Sequence, residues 1–133
     1  MKNILFTVLI VLSTMSSFAQ SLSKNNKSAN IQNAENSIKT YRLFPTDNMW
    51  TFIKLNTRNG QMWQVQYSME DNRFESALSL IQLVEKNKEV DNRFTLYKTQ
   101  NTWTFILLDQ IDGRTWQVQW SIDYDKRGIF RIE

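Results

Sequence analysis

The clearest periodicity in the chain is the apolar–polar alternation of Trp63-Gln64-Val65-Gln66-Tyr67-Ser68, which returns as Trp116-Gln117-Val118-Gln119-Trp120-Ser121. A period of two is what a half-covered strand requires, because successive side chains leave a pleated backbone on opposite faces. Ahead of each copy runs a segment rich in aromatic and β-branched residues, Trp50 to Asn56 and the echo that begins Trp103-Thr104-Phe105-Ile106. Asn59-Gly60 and Asp112-Gly113 sit between the paired segments and read as hairpin turns. Tyr41-Arg42-Leu43-Phe44 predicts a further short strand, stopped by Pro45, whose nitrogen has no hydrogen to give to a ladder. Ile129-Phe130-Arg131-Ile132 reads as a closing strand. Between the copies, Ala77, Leu80, Ile81 and Val84 fall at helical spacing. Repeat alignment nevertheless sets Phe74–Leu78 against Arg127–Arg131, so a fourth strand followed by irregular structure is the expectation.

The whole of Tyr41 to Glu70 matches Phe94 to Asp123 without a gap, at a constant displacement of 53 positions. Such a duplicated unit is usually one supersecondary element that cannot bury its apolar face alone. The expected fold is therefore all-β, with two tandem antiparallel β-meander repeats, residues 41–78 and 94–132, packed as a sandwich or flattened barrel with pseudo-twofold symmetry. A two-residue type I′ turn at Asn59-Gly60 would set Trp63 against Asn56 and mix apolar with polar residues on both faces. A three-residue loop sets Trp63 against Leu55, Val65 against Ile53 and Tyr67 against Thr51, and gathers the apolar set. One residue of slip turns every side chain over, so the second register is predicted. It sends Trp63, Trp116 and Trp120 into the core.

The amino terminus reads as a different kind of segment. Lys2, the apolar run Ile4–Leu12 broken only by Thr7, and Ser17-Phe18-Ala19 form a secretory signal, residues 1–19, with cleavage before Gln20. The run is well short of the roughly twenty residues a membrane-spanning helix needs. Residues 20–40 are dominated by Ser, Asn, Lys and Gln and read as a flexible polar leader, leaving 41–133 as a single β domain. Secretion implies the periplasm or the cell exterior, and no membrane after cleavage. With no cysteine, the fold has no disulfides to lean on. The net charge of +3 falls by one when Lys2 leaves, and the cations lie scattered among anions, which argues against nucleic acid.

Histidine is also absent, which removes the usual general base and the usual metal and nucleophile chemistry together. No metal and no cofactor is expected. Carboxylates are the remaining catalytic material, and Glu70, Asp71, Asp109, Asp112, Asp123 and Asp125 could in principle supply a glycosidase-type pair. All lie in or beside turns, where acidic residues are common for conformational reasons alone. A more specific signal comes from the second face that the predicted register leaves on each hairpin. It carries Trp50, Phe52, Gln64 and Gln66 in the first copy and Trp103, Phe105, Gln117 and Gln119 in the second. Aromatic faces beside amides suit a sugar ring or an extended peptide, and these residues are the candidate ligand site. The competing reading is that strands of the other copy cover this face, since large aromatics are more often buried than displayed. The expectation is a secreted, non-catalytic binding module for a glycan, peptide or protein partner. The alternatives are a carboxylate-dependent hydrolase, or an inhibitory or structural protein acting through its loops.

Leu43-Phe44-Pro45-Thr46-Asp47-Asn48-Met49-Trp50-Thr51-Phe52, Asn59-Gly60 and Trp63-Gln64-Val65-Gln66, with the echo Asp112-Gly113-Arg114-Thr115-Trp116-Gln117-Val118-Gln119-Trp120-Ser121, resemble a group of small secreted proteins of Gram-negative bacteria common among gut anaerobes. The resemblance implies secretion and the duplicated unit, and no chemistry. Lys98 stands where the first copy has Pro45, a departure from strict symmetry. Each unit is also loosely similar to a propeller blade. Two units are fewer than the four to eight such rings contain, so a closed ring would require oligomerisation.

Overall fold

The computed structural model describes residues 39–133. The segments expected to be a signal sequence and a polar leader, up to residue 38, lie outside the described residues. Eight strands follow one another: β1 (Tyr41–Pro45), β2 (Thr51–Asn56), β3 (Met62–Gln66), β4 (Phe74–Ser79), β5 (Phe94–Lys98), β6 (Thr104–Asp109), β7 (Thr115–Gln119) and β8 (Gly128–Ile132). They form two four-stranded antiparallel meanders, β1-β2-β3-β4 and β5-β6-β7-β8. Among the described residues the helical content is two single 3-10 turns, Lys86–Lys88 and Tyr124–Lys126. The all-β class and the repeated meander expected from the sequence are present, and the two sheets pack as a sandwich. Pro45 is the last residue of β1, on an edge where its missing donor is harmless. Lys39 and Thr40, assigned above to the flexible leader, are tied down: the Thr57 N–H donates to the Thr40 carbonyl at 2.8 Å. The Thr40 hydroxyl in turn donates to Asp91 at 2.7 Å.

The hairpin loops are one residue longer than predicted. Asn56 N–H donates to the Gln61 carbonyl at 2.9 Å and Gly60 N–H to the Asn56 carbonyl at 3.0 Å, leaving Thr57 to Gly60 as the loop. Asp109, Gly113 and Arg114 repeat the pattern at 2.8 Å for both bonds. Both loops close through a left-handed glycine, Gly60 at φ +81° and Gly113 at φ +70°. The register moves accordingly: Lys54 lies opposite Trp63, Phe52 opposite Val65 and Ile53 opposite Gln64. The predicted pairs Trp63–Leu55 and Val65–Ile53 are not formed, and the second hairpin departs in the same way. The last strands slip as well, because Gln64 faces Ser76 whereas Gln117 faces Phe130.

This register divides the side chains differently in the two sheets. The first sheet turns Thr51, Ile53, Leu55, Met62 and Gln64 inward, all essentially inaccessible. The second turns in Phe105, Leu107, Trp116, Val118 and Trp120, which belong to the opposite face of the repeat. The two sets meet in one core with Leu78, Val84, Phe94 and Leu96. Each large apolar side chain so covered contributes about 1.5–3 kcal/mol. Unlike faces in contact rule out the expected pseudo-twofold, which would bring like faces together. Three cross-sheet ties agree, since each joins a residue to the near-equivalent of its own position: Thr40 to Asp91, Lys98 to Asp47 and Arg127 to Ser76, all 51 apart. The repeats are stacked in the same sense, like successive blades. Trp63 is consequently not core. It sits half-covered on the outward face, 6.3 Å from the Tyr41 ring and 4.7 Å below the Lys54 ammonium.

The two turn glycines differ in what surrounds them. A β-carbon on Gly113 meets nothing within 4 Å, whereas one on Gly60 would lie 2.7 Å from Leu83 Cδ1. Gly113→Ala is expected to cost the left-handed penalty of about 1–2 kcal/mol. Gly60→Ala should cost more, because Leu83 is packed against the core and must shift. Urea unfolding of both variants checks the order.

Candidate functional site

The entry to the second strand of each sheet is built by equivalent five-residue segments that share threonine, asparagine and tryptophan, Thr46-Asp47-Asn48-Met49-Trp50 and Thr99-Gln100-Asn101-Thr102-Trp103. In both, the threonine hydroxyl accepts the asparagine N–H at 3.1 Å and the asparagine side-chain oxygen accepts the tryptophan N–H at 2.9 Å. The same hydroxyl reaches the carbonyl of the residue after the tryptophan, at 2.9 Å from Thr46 and 3.0 Å from Thr99. Short polar side chains thus substitute for ladder bonds and hold a turn whose product is a fixed tryptophan. Trp50 remains 37% exposed and Trp103 41%. Each leans on the aromatic residue that follows the third strand of its sheet, Trp50 on Tyr67 at 5.2 Å and Trp103 on Trp120 at 4.7 Å. Trp120 is anchored in turn, its indole N–H donating to the Thr102 carbonyl at 2.9 Å.

Beside Trp103 lies an open cleft of about 450 Å³ lined by Trp103, Gln119, Ser121, Asp123 and Lys126, with Trp120 behind. Its lining, which also includes Ile122, brings indole rings together with an amide, a hydroxyl, a carboxylate and an ammonium. Lys126 and Asp123 are paired at 2.7 Å. That hydrogen bond holds the Asp123 carboxyl below its ordinary range, and Asp123 raises Lys126. Arg127 braces the far wall, donating to the Ser121 carbonyl at 2.8 Å and to Ser76 of the other sheet at 2.5 Å. An apolar plate with directional polar groups around it binds flat, hydroxyl-rich molecules well.

The structure separates most of the residues that the sequence grouped. Trp50 and Phe52 lie on the outward face of the first sheet, Gln64 and Gln66 on its inward face. In the second sheet Phe105 is buried inward, while Gln117 and Gln119 face outward. The continuous aromatic–amide face therefore does not form, because the longer loop puts the aromatics and the glutamines back to back. Trp103 and Gln119 alone are reunited, at the sheet end, where both border the cleft. The T-x-N-x-W spacing that positions the tryptophans was legible as a repeated pattern, and its hydrogen-bonding role was not assigned.

Two turn carboxylates have a different task. Asp109 is fully buried, with Arg93 bidentate on it at 3.0 and 2.9 Å and Arg114 at 2.9 Å. Asp112 takes a further bond from Arg93 at 2.6 Å. Burial pushes the Asp109 carboxyl up, but the bonds from Arg93 and Arg114, with the N–H groups of Asp112 and Ile111, outweigh it and bring it from 3.8 to about 2. The bond to Asp109 raises Arg93 above its ordinary value. A carboxylate so saturated is a clamp on the hairpin, not a proton donor. Arg114, beside the turn glycine Gly113, is part of this clamp. Arg93 went unnoticed in the sequence, although a signal existed: the first copy has neutral Thr40, Asn56 and Asn59 where the second has Arg93, Asp109 and Asp112.

Comparison with protein-family models, with curated proteins and with solved structures finds no match, so geometry alone carries the functional reading.

Because the folded Asp109 carboxyl titrates lower than its unfolded value of 3.8, its stabilisation is complete above that pH and is lost as pH falls toward 2. The loss should amount to about 2 kcal/mol over that window. Asp109→Asn should be less stable by about 3–5 kcal/mol at neutral pH, because it strands a buried guanidinium, and should lack this acid limb. Denaturant unfolding as a function of pH reads both. The Gln64 amide offers the opposite case. It is fully buried between the sheets and neither its nitrogen nor its oxygen has a partner. Gln64→Met should stabilise the protein by about 1–3 kcal/mol in the same assay.

Proposed function

We propose that the protein is a secreted, non-catalytic binding module and that its ligand is a carbohydrate held in the Trp103 cleft. The observation that carries this reading is the exposed Trp103 indole, packed at a tilt against buried Trp120 and bordered by Gln119, Ser121 and Asp123. A pyranose presents an apolar C–H face to such a ring while its equatorial hydroxyls reach the amide and the carboxylate. The ring is fixed before the ligand arrives, by the Thr99 and Asn101 turn below and Trp120 behind, so little side-chain entropy is lost on binding. Trp50, set by the same turn on Tyr67, provides a second and shallower contact of the same kind. Export through a signal sequence at residues 1–19 would bring both into contact with extracytoplasmic glycans.

Titration of the protein with a panel of neutral oligosaccharides, followed by tryptophan emission and calorimetry, tests this. At least one saccharide should bind, and Trp103→Ala should weaken it by about 2 kcal/mol, roughly thirtyfold. Binding that survives both Trp103→Ala and Gln119→Ala, or no saccharide binding at all, would contradict the assignment.

A further inference from the structure

The stacking of unlike faces leaves each end of the two-sheet stack with a surface whose natural cover is the other end. On the first sheet the outward face carries Tyr41, Trp50, Phe52, Trp63, Val65 and Tyr67. Their repeat equivalents are Phe94, Trp103, Phe105, Trp116, Val118 and Trp120, which form the inward face of the second sheet. On the second sheet the outward face carries Thr104, Ile106, Leu108, Gln117 and Gln119. These repeat Thr51, Ile53, Leu55, Gln64 and Gln66, the inward face of the first. The chain therefore displays, on opposite sides, a near-copy of each half of its own internal interface. The exposed apolar residues agree with this. Leu43 is 58% exposed and Tyr97 55%, whereas their equivalents Leu96 and Phe44 belong to or pack on the core.

We propose that these two faces bind each other between chains, so that the second sheet of one copy covers the first sheet of the next, head to tail, in a closed ring. The occupant of the apolar face is a second copy of this chain because the interface it would make already exists within the chain. A contact between two different patches cannot be satisfied pairwise and propagates until it closes or runs on as a filament. Twisted four-stranded meanders stacked in one sense close as propellers of four to eight blades, which here corresponds to two, three or four copies. The copy holds over the first three strands of each sheet, the fourth strands being slipped, and within those three the main departure is Lys54, which replaces Leu107. Its ammonium is paired with Glu75 and lies over the Trp63 ring, so covering it leaves no charge unpaired. Trp103 keeps its exposure at the sheet end although its sheet is covered, and Trp50 would keep it likewise in the ring. A ring would array the tryptophan sites along one rim, but its formation does not depend on what they bind.

Native mass spectrometry and light scattering of the full chain, purified as the producing cell processes it, test the proposal. The expected result is one species of two, three or four chains. Leu43→Glu and Tyr97→Glu change residues that are exposed in the single chain, so each should fold, with an unchanged far-ultraviolet spectrum and a cooperative unfolding transition, and each should be monomeric. Mixed together they should form a two-chain species, since each retains the face the other lacks. A monomeric natural chain across the micromolar range would overturn the proposal. So would an assembly that survives either substitution, because that marks contact between like faces, and so would a mixture that stays monomeric.

Discussion

Everything in this fold depends on which face of each meander meets the other. Ile53, Leu55 and Met62 fill the space over Phe105, Trp116 and Val118, so an aliphatic surface lies on an aromatic one. Both halves of the chain encode both surfaces, and only their stacking in one sense lets each surface meet its complement. Like-to-like packing would set Trp63 against Trp116 and leave the aliphatic faces of both sheets in water. The arrangement observed covers one of each and leaves one of each outside.

The turns make that arrangement possible. A loop from Thr57 to Gly60, one residue longer than a bulged three-residue hairpin, sets Phe52 and Val65 on the same side. The second loop is reinforced by the Arg93–Asp109–Arg114 clamp, which locks β5 to the end of β6 through a buried, fully bonded carboxylate. The first loop relies on two amides and a looser Arg58–Glu89 ion pair at 3.5 Å. Asn56 accepts the Arg58 N–H at 3.0 Å, and Asn59 donates to Glu89 at 3.2 Å. Duplication has preserved the geometry while the chemistry that holds it has diverged. The tryptophan turns show the reverse, with Thr46–Asn48 and Thr99–Asn101 holding the same hydrogen bonds in both copies. Identical turns beneath two exposed indoles place the conserved chemistry at the sheet ends, where the candidate site lies.

Much of the fold was legible in the residues. The alternation at Trp63–Ser68 and its echo, the turn glycines and the displacement of 53 positions together yield two meanders and even their fourth strands. The register was not legible, and the reason is physical. Choosing it by gathering apolar residues assumes that a hairpin has one dry face and one wet one. Here Trp63 and Val65 on one side and Ile53 and Leu55 on the other are both apolar, because a stacked repeat needs cover on both sides. That misjudgement moved Trp63 into the core, placed the glutamines beside the wrong aromatics and suggested a twofold. The predicted register puts Trp103 and Gln119 on one hairpin face, whereas the structure brings them together only at the sheet end, and Arg93 carries no local signal because its partner Asp109 is sixteen residues away.

Methyl-to-aromatic nuclear Overhauser effects within one chain show which faces of the two sheets meet. Contacts are expected from the methyls of Ile53, Leu55 and Met62 to the rings of Phe94, Phe105 and Trp116, and none from Val65 to those rings. Contacts from Val65 to the Trp116 ring, with Ile53 and Leu55 silent, would mean that like faces meet and that the unlike-face packing is wrong.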